Sequence, residues 1–355
     1  MNPSKRLVIP PAYYALASAL LFGASTPAAK LLIGQVHPQL LAGLLYFGSG
    51  LGLLLVGTIF KAFQVGGREP NLRRSDLPWL AGAIVFGGVA GPLLLMTGLT
   101  STPGGAASLL LNMEAVLTAL LAWFAFKENY DRRIILGMIS IVVGSIVLTW
   151  QPGAMHSVSF GSLAIIGACF CWALDNNLTR NISDADPIQI AAIKGLVAGL
   201  VNVGIAVVGG SHLPTGLVVL AASLVGFLGY GVSLVLFIKA LRYLGTARTG
   251  AYFSTAPFAG AVLSLLFLHE PLTVDLLAAT SFMAFGVWLH LTELHEHEHS
   301  HTEEEHEHLH THDEHHQHEH DPEIASGEPH SHRHKHVAIT HSHPHYPDTQ
   351  HRHAH

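Results

Sequence analysis

Histidines concentrated near the carboxyl end are the clearest sign of chemistry in this sequence. Residues 293–355 contain 22 of the 27 histidines and 14 of the 24 acidic residues, in runs such as His295-Glu-His-Glu-His-Ser-His301. Neutral imidazole binds Ni, Co, Cu and Zn, and carboxylates assist, so this tail is predicted to bind divalent transition metals with little discrimination among them. The predicted ligands are His295, His297, His299, His301, His306, His308, His310, His312, His315, His316, His318, His320, His330, His332, His334, His336, His341, His343 and His345.

The same tail is predicted to be disordered, because it has almost no apolar residues with which to build a core. Its histidines are interleaved with other residues, unlike the uninterrupted run of a purification tag. A solvated tail that binds metal without a function is an alternative interpretation. No cofactor is indicated beyond a Ni, Co or Zn ion held by the tail.

A second set of polar side chains lies inside apolar stretches, where an ionisable group costs about 2.5–3.5 kcal/mol on insertion scales. Glu114 lies at the centre of one stretch and is predicted to bind a cation or a proton, with Asn112, Asp175 and Asn176 as additional ligands. Lys194 is predicted to pair with Asp175 or Glu114. The alternatives are a Glu114 carboxyl that is protonated or hydrogen-bonded between helices, and a helix-end role for Asp175.

Other polar residues have simpler structural interpretations. Lys30 can extend its ammonium group to the membrane interface, and Glu128 and Glu270 lie at helix ends as caps or gate posts. Because oxygen ligands alone favour Mg or Mn, a transition-metal site at Glu114 would need a nitrogen or sulfur ligand such as His290 or Met113. An interfacial role for His290 is the alternative.

The composition requires a membrane around these residues. Of the 355 residues, 50% are hydrophobic and 12% are charged, against about 25% charged in a soluble domain. Residues 1–292 contain only 25 charged residues, which excludes a water-soluble globule. Apolar stretches of about 20 residues, the length that crosses a bilayer, fall near 12–33, 38–60, 77–98, 104–126, 132–150, 159–179, 187–209, 215–238, 247–268 and 272–291.

The distribution of Lys and Arg predicts the orientation of these ten spans. With the amino terminus inside, the cytoplasmic segments contain thirteen Lys or Arg residues and the five opposite loops contain none. The positive-inside rule therefore places both termini in the cytoplasm and the protein in the cytoplasmic membrane.

The two halves of the membrane region repeat each other. A shift of 142 residues places Gly87 on Gly229 and Glu128 on Glu270. Each half has five spans, and because this number is odd, the second half is inverted in the membrane relative to the first. The repeat divides the chain into a first half, 1–150, a second half, 151–292, and the tail, 293–355. Inverted repeats place a site near the midplane and are typical of secondary transporters.

Three segments carry a family resemblance: Leu21–Lys30, Trp172–Arg180 and Lys239–Thr273. They resemble the EamA repeats of the drug/metabolite transporter superfamily. The resemblance implies an all-α integral membrane protein with ten transmembrane helices and no nucleotide-binding subunit, which carries small solutes and is not an enzyme. One departure is that Pro257 has Ala115 as its counterpart in the first repeat.

The favoured function is efflux of nickel or cobalt, with zinc as a further option, because the layout resembles family members associated with nickel and cobalt resistance that carry His-rich ends. One alternative is export of an organic metabolite, amino acid or drug, with the tail as a metal-responsive regulator. Another is a membrane-bound metal buffer or sensor, against which the inverted repeat argues. The expected partners are a small ion or molecule and the lipid bilayer, not nucleic acid, with a homodimer left open.

Overall fold

The membrane region consists of α-helices. The computed structural model describes residues 11–63, 70–126, 132–150, 159–292, 296–300, 304–310, 330–336 and 340–344. In lipid, backbone polar groups must be satisfied within the chain, which favours helices throughout. The helices are α1 Pro11–Leu32, α2 Pro38–Ala62, α3 Leu77–Ala83, α4 Gly91–Leu99, α5 Gly104–Leu110, α6 Met113–Phe126, α7 Arg132–Thr149, α8 Phe160–Arg180, α9 Pro187–Val208, α10 Gly216–Gly226, α11 Ser233–Phe253, α12 Ala256–Phe267 and α13 Val274–Leu291, with a short 3-10 turn at Arg74–Asp76.

Within the described residues, nine helical segments are long and apolar enough to cross a membrane. The sixth predicted span also forms a helix, α8, which is 21 residues long but does not meet the apolarity of the other nine. Its lower apolarity follows from the consecutive polar residues Asp175, Asn176 and Asn177. The all-helical, multi-pass fold expected from the sequence is confirmed.

The internal repeat is visible as matching irregularities in the helices. A π-helical segment covers Ile84–Ala90 in the third span, and another covers Phe227–Val232 in the eighth. These segments contain Gly87 and Gly229, the pair aligned by the sequence shift. The fourth span is interrupted between α5 and α6, and the ninth is interrupted between α11 and α12 at corresponding positions. Since π-helical turns occur often at functional sites, these irregularities indicate where a site is expected.

Glycines allow the second and seventh spans to pack with their backbones in contact. A Cβ atom added to Gly195 in α9 would lie 2.5 Å from the backbone nitrogen of Gly50 in α2. Small residues at such crossings are the usual way in which membrane helices approach closely. The α2–α9 pair therefore packs closely between the first and the second repeat.

The described residues of the tail belong to a second compact unit and lie on short strands. The strands are β1 Glu296–Ser300, β2 Glu304–His310, β3 His330–His336 and β4 Thr340–Pro344. β1 pairs antiparallel with β4, and β2 pairs antiparallel with β3, so that His308 lies opposite His332. The alternation of His with other residues in these segments matches the two-residue period of a strand.

Candidate transport site

A cavity near the middle of the helical unit brings together residues from both repeats. Its empty volume, including the part open to solvent, is about 450 Å³. The polar lining includes Glu114 from α6, Asp175 and Asn176 from α8, Lys194 from α9 and Ser233 from α11. Six aromatic side chains form much of the remaining wall: Phe22, Tyr46, Trp172, Tyr230, Phe237 and Phe253.

The aromatic rings contact one another around the cavity. The ring centroid of Phe22 lies 5.7 Å from that of Trp172, 5.9 Å from that of Tyr230 and 5.2 Å from that of Phe253. These separations are within the range of favourable aromatic pairs. A wall of this kind offers π-faces to an organic solute, and π-faces attract cations.

Glu114 supplies a carboxylate to this aromatic cavity. It lies in the first turn of α6, directly after the interruption that follows α5. Positive charge from the helix dipole favours an anion at this position. The side-chain amide of Asn176 donates a hydrogen bond to Glu114 Oε1 at 2.7 Å. The two residues that the sequence predicted to act together are therefore in direct contact.

Asp175 and Lys194 form a buried ion pair at the edge of the cavity. Lys194 Nζ contacts Asp175 Oδ2, and the side chains of Lys194 and Asp175 are 3% and 8% exposed. The Thr179 hydroxyl donates to Asp175 Oδ1 at 3.0 Å. A Cβ atom at Gly87, in the first π-helical segment, would overlap the Asp175 carboxylate. Glycine at this position therefore makes the space in which Asp175 reaches Lys194.

The same π-helical segment binds two side chains of the aromatic wall. The carbonyl oxygen of Gly87 accepts a hydrogen bond from the Tyr46 hydroxyl at 2.6 Å and from Trp172 Nε1 at 3.1 Å. Sequence reasoning missed the aromatic wall, because its six members are spread over five separated stretches with no common spacing. The 142-residue repeat aligns Gly87 with Gly229, which also lines the cavity, and this was the available signal for the position of the site.

Three residues considered from the sequence lie away from the cavity lining. Asn112 donates to the carbonyl oxygen of Leu109 at 3.1 Å and lies 3.7 Å from the sulfur of Met283. His290 Nε2 contacts the carbonyl oxygen of Ile134 at 3.2 Å, between α13 and α7. Met113 packs with apolar side chains. The expected nitrogen or sulfur ligand for a metal at Glu114 is therefore not supplied by His290 or Met113.

Metal-ligating side chains do not gather elsewhere in the described part of the chain. Within the residues that were described, no group of three or more His, Cys, Asp or Glu side chains could hold a metal ion. Of the predicted tail ligands, eleven lie on the strands β1–β4, and the others fall outside the described residues, as does Glu128. Metal binding by the tail stays a prediction.

Comparison with known proteins identifies related sequences for the whole helical region. The family model described as "EamA-like transporter family" matches residues 10–150 and again 159–292. A protein of Methanothermobacter thermautotrophicus named an uncharacterized transporter is 27% identical over 272 residues, covering 73% of this chain and 79% of that protein. A Salmonella typhimurium protein named a probable amino-acid metabolite efflux pump is 24% identical over 206 residues, covering 53% of this chain and 68% of that protein.

A solved structure shares the fold. Described as a crystal structure of a protein, it superposes with a TM-score of 0.59 at 19% sequence identity. The match covers 78% of this chain and 95% of the solved chain. At this identity the similarity supports the architecture alone.

Proposed function

Because the chain belongs to the EamA-like transporter family, it is a membrane transporter, and we propose that it exports a small organic solute that carries a protonated amine. The observation that carries this proposal is the aromatic cavity containing Glu114. In the proposed mechanism the ammonium group of the cargo binds the Glu114 carboxylate, while the aromatic faces bind the rest of the molecule.

The charges of the lining favour a cation as cargo. Asp175 and Lys194 pair with each other, so their formal charges cancel, whereas Glu114 has an amide partner. When Glu114 is ionised, the described lining therefore carries one net negative charge. A cargo with a single positive charge neutralises it, and cation–π attraction is worth about 2 kcal/mol or more where water is excluded.

The lining of the cavity agrees with an organic cargo. Six aromatic side chains form much of its wall, beside a few polar groups, and this composition is typical of small-molecule sites. A bare metal ion needs instead a compact set of ligands at about 2 Å. The name of the Salmonella typhimurium relative, a probable amino-acid metabolite efflux pump, is consistent with an amine-bearing cargo.

Proton exchange offers a way to release the cargo. An uncompensated carboxylate within a span is costly, so Glu114 needs a positive partner in each state. A proton entering from outside can replace the ammonium group on Glu114. Export of the amine would then be coupled to proton entry through this one carboxylate.

Efflux of nickel, cobalt or zinc is a second candidate, and the His-rich tail is the observation that favours it. In that case the tail would collect metal ions in the cytoplasm and deliver them to the membrane region. If the cargo is organic, the tail would instead regulate transport in response to metal. Metal delivery by the tail and regulation by the tail both assume its predicted cytoplasmic position.

Growth tolerance in cells that lack related exporters separates these functions. Cells would express the full chain, Glu114→Gln, or a chain ending at Leu294, and would be challenged with organic amines and with Ni²⁺, Co²⁺ and Zn²⁺ salts. We expect the full chain to raise amine tolerance and Glu114→Gln to abolish this effect at equal membrane abundance. The matched control is Asp275→Asn, which neutralises an exposed carboxylate at the start of α13.

The outcomes distinguish the candidates. Amine tolerance that survives tail removal supports the organic cargo. Metal tolerance that requires the tail, together with no amine tolerance, would replace the first proposal with metal efflux. Normal amine tolerance in Glu114→Gln would exclude the assigned binding role of this carboxylate.

A further inference from the structure

Glu270 joins the two repeats at the predicted outer end of the spans. It lies in the short connection between α12 and α13 of the second repeat. Its carboxylate accepts hydrogen bonds from the backbone nitrogens of Gly104 at 2.6 Å and Gly105 at 2.8 Å, where α5 of the first repeat begins. Because the acceptor is a charged group, such bonds are stronger than those between neutral partners.

Lys30 closes the same end from a different helix. Its ammonium group, in the last turns of α1, donates to the carbonyl oxygens of Leu99 and Thr102, the latter at 2.8 Å. Leu99 is the last residue of α4, and Thr102 lies in the connection to α5, shortly before the glycines that Glu270 holds. We call the Glu270–amide and Lys30–carbonyl contacts together the outer clasp.

The outer clasp is separated from the cavity along the helices. Gly104 precedes Glu114 by ten residues, and Lys30 follows Phe22 by eight, which correspond to about 15 Å and about 12 Å of helix. These lengths are about half of the 30 Å hydrocarbon core. If the cavity lies near the midplane, as expected for inverted repeats, these lengths place the clasp near the predicted outer surface of the membrane.

The backbone around Glu270 is held in an unusual conformation. Among the described non-glycine residues, His269 is the one with a positive φ, of 51°. A left-handed backbone at a residue other than glycine persists where the surrounding contacts enforce it. The neighbouring contacts are also tight, since a Cβ atom at Gly104 would lie 2.8 Å from Leu268 Cδ1. Both observations indicate that the loop is shaped to place its carboxylate on the two amides.

We propose that the outer clasp is the extracellular gate, closed while the cavity is loaded and open when the cargo leaves. Inverted repeats give alternating access by rocking against each other. A contact between the repeats at one end must therefore break when that end opens. A contact with a purely structural role would stay formed throughout the transport cycle. This inference relies on the family's transport function and does not depend on the identity of the cargo.

Cysteine accessibility tests the gate directly. Ser25 is buried, and its hydroxyl donates to the Phe22 carbonyl at 2.6 Å, so it lies on α1 between the cavity and Lys30. A Ser25→Cys reporter would be placed in a chain with Cys169→Ala and Cys171→Ala. A membrane-impermeant thiol reagent is then added outside intact cells.

We expect Glu270→Gln to raise the labelling rate of the Ser25→Cys reporter about tenfold, which is the effect of losing about one charged hydrogen bond. The control Asp275→Asn should keep the original rate.

Two further measurements keep the test decisive. Gly105→Ala preserves the carboxylate but puts a Cβ atom 3.2 Å from Glu270 Oε2, so it should also speed labelling and replaces Glu270→Gln if that variant does not fold. Thermal unfolding of each purified variant is measured in parallel. Reduced stability with unchanged labelling in both variants would show a static cap and overturn the proposal. Because labelling needs no cargo, this result is independent of the amine proposal.

Discussion

Removal of the positive charge of Lys194 should destabilise the protein strongly. Lys194 and Asp175 are 3% and 8% exposed, so Lys194→Met leaves a buried carboxylate whose remaining described hydrogen bond comes from Thr179. Removing one partner of a buried ion pair costs about 3–5 kcal/mol. We expect the free energy of unfolding of Lys194→Met to fall by about this amount.

Denaturation of the purified protein by sodium dodecyl sulfate, followed by far-ultraviolet circular dichroism, measures that free energy. Lys61→Met is the matched control, because Lys61 is exposed in the last turn of α2, and surface changes stay within about 0.5 kcal/mol. The double variant Asp175→Asn/Lys194→Met removes both charges and should recover most of the loss. Equal stability of Lys194→Met and Lys61→Met would refute the reasoning.

The double variant also tests the charge argument for transport. It leaves the net charge of the described cavity lining unchanged, because one positive and one negative charge are removed together. We therefore expect it to keep amine tolerance, in contrast to Glu114→Gln. Loss of tolerance in a folded double variant would show that the ion pair itself contacts the cargo.

Three other predictions concern packing, the tail and orientation. Gly87→Ala should lower the free energy of unfolding by about 1–3 kcal/mol because its Cβ atom would overlap Asp175, whereas Gly204→Ala, with no neighbour within 4 Å, should match the parent in the same denaturation assay. Calorimetry should show Ni²⁺ or Zn²⁺ binding that the chain ending at Leu294 lacks. Because imidazole must be neutral to coordinate, and its unperturbed pKa is about 6.5, this binding should disappear as the pH falls from about 7 to 5; binding retained at pH 5 would contradict a histidine site. A reporter fused after His355 should behave as cytoplasmic, and activity only outside would exclude the predicted orientation.

The spans, the repeat and the unusual polar residues could be read from the sequence because each is a local property. Hydropathy over about 20 residues identifies a span without knowledge of its neighbours, and an ionisable residue within a span stands out by its cost. The sequence alone therefore indicates Glu114, Asp175 and Lys194 as unusual residues, without knowledge of their contacts. The same local reasoning identified α8 as a span even though its polar residues make it the least typical.

The pairing of those residues was decided only by the tertiary structure. Asn112 lies two positions from Glu114, but its side chain donates to Leu109 and lies near Met283. Phe22 and Tyr230 are far apart in the chain, yet their ring centroids lie 5.9 Å apart. The reason is that the rotation of each helix and the choice of its neighbours depend on how all the spans pack together. A hydropathy pattern shows that a segment is apolar, but packing determines which of its side chains line the cavity.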